Sequence, residues 1–335
     1  MAQLSAFLFR QRGRHLVVNG AGNISPALQD ILAGRRVRAT KHCDVGGFPV
    51  RQPSHFIASS GRLSTLRASL AIFCLAATLH AQTAYVPNED LDGNDNVAVI
   101  RIATNTILQR IPVEGPVSGV TVSPDGTRVY LAGNFSGVGY GVLVVDTNSN
   151  TVIASIPAGN GPVGLAILPD GSAVYVANIG SDFISVISTS TNTVTANIKL
   201  PEAYAGTATP GGIVASPDGA NIYTTTYNSP TGRPALVVIS TSTNKVSASY
   251  PIASTTRQMA ISPDGATIYA TSTTITPQLY SINTADGSVT SALTLSAPFP
   301  SAYLSTPTAI ALSLSADGTT VYVTTLAALF VVDTA

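Results

Sequence analysis

The stretch Ser123-Pro124-Asp125-Gly126-Thr127-Arg128-Val129-Tyr130 reads as a tight turn that leads directly into a β-strand. Proline presets φ, the aspartate side chain can bond to the backbone ahead of it, and glycine adopts a positive φ at no steric cost. The turn recurs with the same spacing to an apolar residue and a tyrosine. Its further copies lie at 168–171, 216–219, 262–265 and 315–318.

The tyrosines of these units mark a long period. Tyr85, Tyr130, Tyr175, Tyr223, Tyr269 and Tyr322 are separated by 45, 45, 48, 46 and 53 residues. A second motif, of the type Thr-x-Thr-Asn-Thr, follows each tyrosine at a similar distance, as at 147–152, 189–194 and 241–246. A period near 45 with Val-, Ile-, Thr- and Tyr-rich segments is typical of the blades of a β-propeller. We therefore expect four antiparallel strands per unit, named A to D in chain order, and an all-β fold.

Counting strands predicts a ring that is incomplete. Residues 85–113 supply strands B, C and D, four full units follow, and 306–333 supply A, B and C, which gives 3 + 16 + 3 = 22 strands. A closed ring of about six blades needs 24. We expect an open ring, most simply from a truncated reading frame; the alternative is a strained six-bladed closure. The predicted propeller region is 83–335, with units ending near 113, 157, 199, 252, 295 and 335.

The tetrapeptides at the B strands carry a family resemblance. Tyr85-Val86-Pro87-Asn88 and Tyr175-Val176-Ala177-Asn178 stand where later units have degenerate copies, such as Tyr223-Thr224-Thr225-Thr226. The chain from about 83 to 335 resembles the YVTN-family β-propeller repeat proteins, which include exported, surface-layer-like proteins. The resemblance implies the propeller fold and export, but no particular activity, because propellers host unrelated functions.

The charge is split along the chain. Residues 1–82 carry ten basic and two acidic residues (10 − 2 = +8), and 83–335 carry seven basic and fifteen acidic ones (7 − 15 = −8). The acidic propeller region argues against a nucleic-acid partner, because phosphate binding needs a basic surface.

Reactive side chains are also unevenly distributed. All four histidines and both cysteines lie before residue 83, and the chain has no tryptophan. For 83–335 this excludes a disulfide framework, a His or Cys metal site, a Ser-His-Asp triad and an attached c-type haem.

Residues 62–82 have the layout of a secretory signal peptide. Arg62 and Arg67 precede an uncharged apolar run over 68–79, and cleavage after Ala81 would leave Gln82 as the new N-terminus. Twelve apolar residues are too few for a transmembrane span, which needs about 20. The alternatives are a buried helix or a weak membrane anchor. We expect a secreted, periplasmic or cell-surface protein.

Residues 1–61 are rich in Gly, Arg and Pro and show no sustained helical or strand period. They read as a disordered basic extension, or as a segment upstream of a true start near Leu63 or Leu66.

Two segments are candidate ligand sites. The loop Asp90–Asp95 alternates acids around Gly93 and resembles a calcium-binding loop, but it departs from the EF-hand pattern; the alternative is a solvated loop between strands B and C. Arg257 precedes strand A of its unit, where other units carry Ser118, Val163, Gly211 and Ile310. Because strand A lines the central channel, Arg257 is a candidate anion site, or a rim residue with a local partner.

The repeated polar residues have a structural explanation. Asp125, Asp170, Asp218, Asp264 and Asp317 each occur in a turn that needs aspartate, and the repeated tyrosines are expected to pack on a half-buried strand face. The strand A residues Gly119, Gly164, Gly212, Gln258 and Ala311 form no acid–base pair. We assign no catalytic residue, cofactor or metal ligand.

The sequence favours an exported binding or cell-surface module over an enzyme. The variable loops between strands B and C, such as 134–141 and 228–234, predict one face that binds a protein or glycan ligand. Exposed sheet edges favour self-association. The alternative is a lactonase-like propeller hydrolase with a carboxylate-bound metal.

Overall fold

The computed structural model describes ten parts of the chain. They are residues 6–11, 14–19, 83–88, 95–201, 210–226, 234–252, 256–272, 278–295, 309–325 and 329–334. The predicted signal peptide at 62–82 lies outside the described residues, so export stays a prediction.

Strands β1 (Ala6–Gln11) and β2 (Arg14–Asn19) form an antiparallel hairpin within the N-terminal part. Every other described strand lies between Thr83 and Asp333 and belongs to one of six antiparallel sheets, which we call blades 1 to 6. No helix occurs in the described residues, and so none that is long and apolar enough to cross a membrane.

The strand bounds repeat from blade to blade. Blade 1 contains β3 (Thr83–Asn88), β4 (Asn96–Arg101) and β5 (Thr106–Pro112). Blade 2 contains β6 (Val117–Val122), β7 (Arg128–Phe135), β8 (Gly139–Asp146) and β9 (Thr151–Pro157). Blade 3 contains β10 (Pro162–Ile167), β11 (Ala173–Asn178), β12 (Phe183–Ser188) and β13 (Thr193–Lys199). Blade 4 contains β14 (Pro210–Ala215), β15 (Asn221–Thr226), β16 (Ala235–Ser240) and β17 (Lys245–Pro251). Blade 5 contains β18 (Thr256–Ile261), β19 (Thr267–Ser272), β20 (Gln278–Asn283) and β21 (Val289–Thr294). Blade 6 contains β22 (Ala309–Leu314), β23 (Thr320–Thr325) and β24 (Leu329–Asp333).

The six blades are arranged as a β-propeller. Strands pair in chain order, and the A strands β6, β10, β14, β18 and β22 lie side by side in successive blades. Among the described residues, blade 1 has no strand A, blade 6 has no strand D, and no hydrogen-bonded strand pair joins the two. The described strands from β3 to β24 number 22 (24 − 2). The predicted propeller of about six blades with 22 strands and no ring closure is therefore confirmed.

Successive blades share their hydrophobic cores. Tyr130 and Val144 of blade 2 pack in one buried cluster with Val174 and Val176 of blade 3, and the other junctions between consecutive blades have clusters of the same kind. Burying each such side chain contributes about 1.5–3 kcal/mol. Much of this apolar surface is buried only when a neighbouring blade is present.

The prediction that the repeated tyrosines pack on a half-buried strand face holds for Tyr269 and Tyr322, which are partly buried, and is wrong for the four earlier tyrosines, which are buried. Tyr130 and Tyr175 are buried, with 0% and 1% of their surface exposed, and the residues on either side of them along the strand are buried as well. A B strand is covered on both faces because one blade packs on each side of it. Near-continuous apolar runs, rather than strict alternation, follow from this position.

Small residues allow the inner strands of neighbouring blades to approach closely. A Cβ atom on Gly211 would lie 2.6 Å from the carbonyl oxygen of Thr256 in the next blade. A Cβ atom on Gly119 would lie 2.9 Å from the carbonyl oxygen of Val163. In contrast, a Cβ atom on Gly164 would meet a movable methyl group, Cγ2 of Ile213, at 3.0 Å.

Replacing Gly211 by alanine should therefore destabilise the propeller by about 1–3 kcal/mol, because the new methyl group meets backbone that cannot move without separating two blades. Gly164→Ala is the matched control and should cost clearly less. Urea unfolding followed by circular dichroism measures both. Equal losses for the two variants would contradict close approach of the inner strands at Gly211.

Candidate binding face

The strand order gives the ring two chemically different faces. In an antiparallel four-stranded blade, the A–B and C–D turns lie at one edge, and the B–C and D–A connections lie at the other. The repeated Ser-Pro-Asp-Gly and Thr-x-Thr-Asn motifs therefore share one side of the ring, which we call the turn face. The B–C and D–A connections form the opposite side, which we call the loop face.

The aspartates of the turn face are engaged in their own turns. Ser123 Oγ donates a hydrogen bond to Asp125 Oδ1 at 2.5 Å, and the Thr127 N–H donates to the same oxygen at 3.0 Å. Gly126 has φ +73° and donates its N–H to the Ser123 carbonyl at 2.8 Å. Asp218, Asp264 and Asp317 repeat this arrangement with Ser216, Ser262 and Ser315. In blade 3, where Leu168 replaces the serine, Ser172 donates to Asp170 instead.

These hydrogen bonds favour the ionised carboxylates. The hydrogen bond from Ser315, assisted by those from Thr319, lowers the pKa of Asp317 to about 2. The pKa values of Asp125, Asp218 and Asp264 are lowered for the same reason, with the serine hydroxyl as the largest cause. A general base for catalysis needs a pKa nearer to neutral pH. The repeated carboxylates therefore have the properties of turn-forming groups.

The repeated tyrosines connect neighbouring blades on the turn face. Tyr85 Oη donates to Asn150 Oδ1 at 3.0 Å, and Tyr175 Oη donates to Asn244 Oδ1 at 2.7 Å. Each asparagine sits in the C–D turn of the next blade, with φ of +52° and +51°. Burial, with a smaller effect of Asp146, raises the pKa of Tyr85 to about 12. The hydroxyl thus stays a hydrogen-bond donor at physiological pH.

The junction between blades 2 and 3 is different. Arg128 donates to the Thr189 carbonyl and, at 3.5 Å, to Asn192 Oδ1, the acceptor that a tyrosine uses elsewhere. The Tyr130 hydroxyl is buried and interacts with Arg128 of its own strand rather than with an asparagine of the next blade; burial raises the pKa of Tyr130 and Arg128 partly opposes this effect.

The loop face varies from blade to blade. The D–A connections run from 113–116 and 158–161 to the longer 200–209 and 295–308. The B–C loops run from 136–138 to 227–234. Loops of unequal length on a repeating scaffold are where binding specificity usually resides.

Part of the loop face is held rigidly at blade 3. The Asn160 N–H donates a hydrogen bond to Ser181 Oγ at 3.0 Å, and the Gly180 N–H donates to the Asn160 carbonyl at 3.0 Å. Tyr140 and Ile179 are exposed beside this segment, with 44% and 37% of their surface open to solvent. An aromatic and an aliphatic side chain next to fixed polar loops are suited to contact a ligand.

Asn178 lies beneath this segment in a polar network that the sequence did not single out. It is fully buried, and its Nδ2 lies within hydrogen-bond distance of the Val176 and Phe183 carbonyls and of Ser185 Oγ. Ser185 in turn donates to Asn197 at 3.0 Å. The Oδ1 atom of Asn178 has no hydrogen-bond partner in the described part of the chain.

Thr226 Oγ1 and Thr271 Oγ1 are also buried near the loop-face ends of their B strands and lack hydrogen-bond partners among the described residues. The sequence did contain a sign of these buried hydroxyls. Thr226 is the fourth residue, and Thr271 the third, of the tetrapeptide that begins with the repeated tyrosine of each B strand.

Each A strand bulges at the same place, close to the loop face. The register shifts occur at Ser118, Val163, Gly211 to Gly212, Arg257 and Ile310. A bulge often redirects a side chain and is common beside binding sites. Arg257 therefore lies at a bulge of the innermost strand of blade 5, although its side chain is outside the described residues. The anion site at Arg257 stays a prediction.

The calcium-loop hypothesis also remains a prediction. Residues 89–94 lie outside the described residues, whereas the Asp95 carbonyl accepts the Val113 N–H at 3.0 Å. Within the described ranges, no group of three or more His, Cys, Asp or Glu side chains is placed to hold a metal ion.

The comparisons with known proteins agree with the class of fold, a six-bladed β-propeller. Hydrazine synthase from Kuenenia stuttgartiensis aligns with a TM-score of 0.62 and 19% identity over 76% of this chain and 81% of that one. The Swd1 β-propeller domain from Myceliophteria thermophila aligns with a TM-score of 0.57 and 13% identity over 74% and 79%. At these identities, the likeness shows the fold alone.

No family model matches the chain, and no curated protein matches it either. The resemblance to YVTN-family proteins therefore remains a prediction.

The lowered aspartate pKa values predict that the folded state becomes less stable as the pH falls into the acidic range. Because Asp317 has a folded pKa of about 2, below its ordinary 3.8, its contribution to stability is complete above about pH 4 and is lost as the pH falls through about 2. Ser315→Ala removes the largest cause and should raise the pKa of Asp317 towards its ordinary value. NMR titration of the carboxyl carbons measures this, with Asp218 as the internal control. An unchanged Asp317 pKa in the variant would refute the assignment.

The inter-blade tyrosines allow a matched pair of substitutions. Tyr175→Phe removes the hydrogen bond to Asn244 and should cost about 1 kcal/mol. Tyr130→Phe removes a hydroxyl that interacts with Arg128 of the same strand and has no asparagine acceptor in the next blade, so its effect should be clearly smaller. Thermal and urea unfolding report both values. A loss for Tyr130→Phe as large as that for Tyr175→Phe would show that the hydroxyl bonds do not connect the blades.

Proposed function

We propose that this chain is a non-enzymatic binding module that takes a protein or glycan ligand on its loop face. The observation that carries the proposal is the contrast between the two faces. On the turn face, the repeated polar groups are engaged in their own turns or in the next blade. On the loop face, connections of unequal length surround exposed apolar side chains such as Tyr140 and Ile179.

The chemistry of the described residues supports binding rather than turnover. The carboxylates that recur once per unit have lowered pKa values, so they are poor proton acceptors at neutral pH. The inner strands present glycine and other small residues where the blades approach one another. Exposed polar residues with a few exposed apolar side chains, such as Tyr140 and Ile179, suit contact with a protein surface or a polysaccharide.

We further propose that the protein is exported and belongs with the YVTN-type surface propellers. The support is the sequence of residues 62–82, with its basic start and short apolar run, and the tetrapeptides of the B strands.

The binding proposal is tested with a glycan array, followed by calorimetry on the best glycan. The variant Tyr140→Ala with Ile179→Ala should weaken binding by about tenfold or more, since each side chain supplies apolar contact at the proposed surface. Asn148→Ala, which changes an exposed residue of the turn face, is the control and should bind as the unchanged chain does. Equal binding by both variants would contradict the loop face as the site, and turnover of lactones by the purified chain would contradict the non-enzymatic assignment.

The export proposal has its own measurement. Mass spectrometry of the secreted or surface fraction should find a mature chain that begins at Gln82. A mature chain that begins at Met1 would contradict it.

A further inference from the structure

The hairpin that joins strands B and C of blade 2 places an amide and an aromatic ring side by side. Asn134 of β7 lies directly opposite Tyr140 of β8. The Asn134 N–H donates to the Pro116 carbonyl at 3.3 Å, and the Tyr140 carbonyl accepts from the Ala158 N–H at 3.1 Å. The two residues therefore form a pair without hydrogen bonds to each other, in which opposing side chains come closest, with Cα atoms about 4.5 Å apart.

Both side chains lie on the side of the hairpin that faces blade 3. Because side chains alternate along a strand, Asn134 shares a side with Ala132, and Tyr140 shares it with Val142. Ala132 and Val142 are buried in the cluster common to blades 2 and 3. Asn134 and Tyr140 continue this side beyond the cluster and are exposed, whereas Phe135 is buried on the opposite side, against blade 1. The hairpin is thus held by the apolar core and presents its carboxamide and its ring outward.

The loops of blade 3 extend this surface with Asn160 and Ile179, which are both exposed. A Cβ atom on Gly159 would lie 2.6 Å from Cγ of the buried Asn178, so the connection before Asn160 packs directly on the core. We call the side chains of Asn134, Tyr140, Asn160 and Ile179 the amide–aromatic surface. Because its backbone is fixed by packing and hydrogen bonds, a ligand pays little entropy to order it.

The segments that form the amide–aromatic surface carry one charged residue. Residues 134–140, 158–161 and 179–182 are uncharged except for Asp182. A second acidic residue, the exposed Glu114, adjoins the hairpin, because its carbonyl accepts the Ser136 N–H at 2.6 Å. Like charges repel, so these carboxylates disfavour an anionic ligand and leave the binding of a neutral ligand unaffected.

We propose that the amide–aromatic surface binds a neutral oligosaccharide, with one pyranose ring stacked on Tyr140 and its hydroxyl groups bonded to the Asn134 carboxamide. This inference rests on the proposed function and narrows its ligand from a protein or glycan to an uncharged glycan.

The chemistry of the paired side chains matches that of a sugar. The face of an aromatic ring carries negative charge, and it attracts the slightly positive C–H groups on one side of a pyranose. A carboxamide both donates and accepts hydrogen bonds, as sugar hydroxyl groups do. One exposed aromatic and one aliphatic side chain suffice for a stacked ring, but they are small beside the apolar centre of a protein–protein interface.

The test is a glycan array of neutral and acidic oligosaccharides, followed by calorimetry of the full chain with cellohexaose, chitohexaose and maltohexaose. Tyr140→Ala should weaken binding of the tightest of these by about tenfold or more. Tyr140→Phe should weaken it clearly less, because phenylalanine keeps the stacking ring. Asn134→Ala should cost about fivefold, the equivalent of one hydrogen bond.

Two controls separate stacking from other causes. Asn148→Ala changes an exposed residue of the turn face and should bind as the unchanged chain does. Raising the salt concentration from about 50 to about 500 mM should change the affinity by less than about twofold, because a neutral ligand forms no charge pair.

Equal losses for Tyr140→Ala and Tyr140→Phe would overturn the stacked arrangement. Failure of every neutral oligosaccharide to bind, or an affinity that falls steeply with salt, would overturn the choice of ligand. Binding of a protein or an acidic glycan that Tyr140→Ala with Ile179→Ala abolishes would refute the neutral sugar and leave the proposed function intact. Binding that this double variant does not change would refute both.

Discussion

The close approach of inner strands between neighbouring blades is the constraint on which the rest of the structure depends. At Gly119 and Gly211, a single methyl group would lie within 3 Å of the backbone of the next blade. Because the strands can approach this far, the apolar faces of consecutive sheets meet in continuous clusters, such as the one joining Val142 to Ile187. Each blade thus corresponds to one sequence repeat, but its hydrophobic core is completed only at the interface with the neighbouring blade.

The inter-blade hydrogen bonds supplement this apolar packing with contacts that require a defined geometry. Tyr85 and Tyr175 each reach an asparagine in the C–D turn of the following blade, and that asparagine has a positive φ that presents its side chain. The repeated tyrosines and asparagines of the turn face thus stabilise the contacts between neighbouring blades. The loop face has no such repeated network in the described residues, so its sequence can vary without changing the blades.

The blades could be predicted from the sequence because the interactions that form their turns and strands are local in the chain. The Pro-Asp-Gly turn at 124–126 and the strand that follows depend on neighbouring residues, and their repetition revealed the strand count and the open ring. The exposure of Tyr130 was mispredicted, because side chains of the neighbouring blade bury it. The role of Asn150 was missed for the same reason, since its partner Tyr85 lies 65 residues away in the chain.

The loop face was predictable in location but not in detail. Unequal spacing between motifs shows where the loops are, but contacts such as that between Asn160 and Ser181 depend on how two loops meet in space. Asn178 carried a readable signal, a polar residue inside an apolar strand. Its network with Ser185 and Asn197 required the pairing of three strands.

Native-state hydrogen exchange of a Val176→Ala variant tests the interdependence of blades most directly. Val176 is fully buried in the cluster that blades 2 and 3 share. If the packed unit is the interface, the substitution should reduce amide protection in β7 and β8 of blade 2 as well as in blade 3. A loss of protection confined to β10 through β13 would show that each sheet is stable by itself, and would contradict the account.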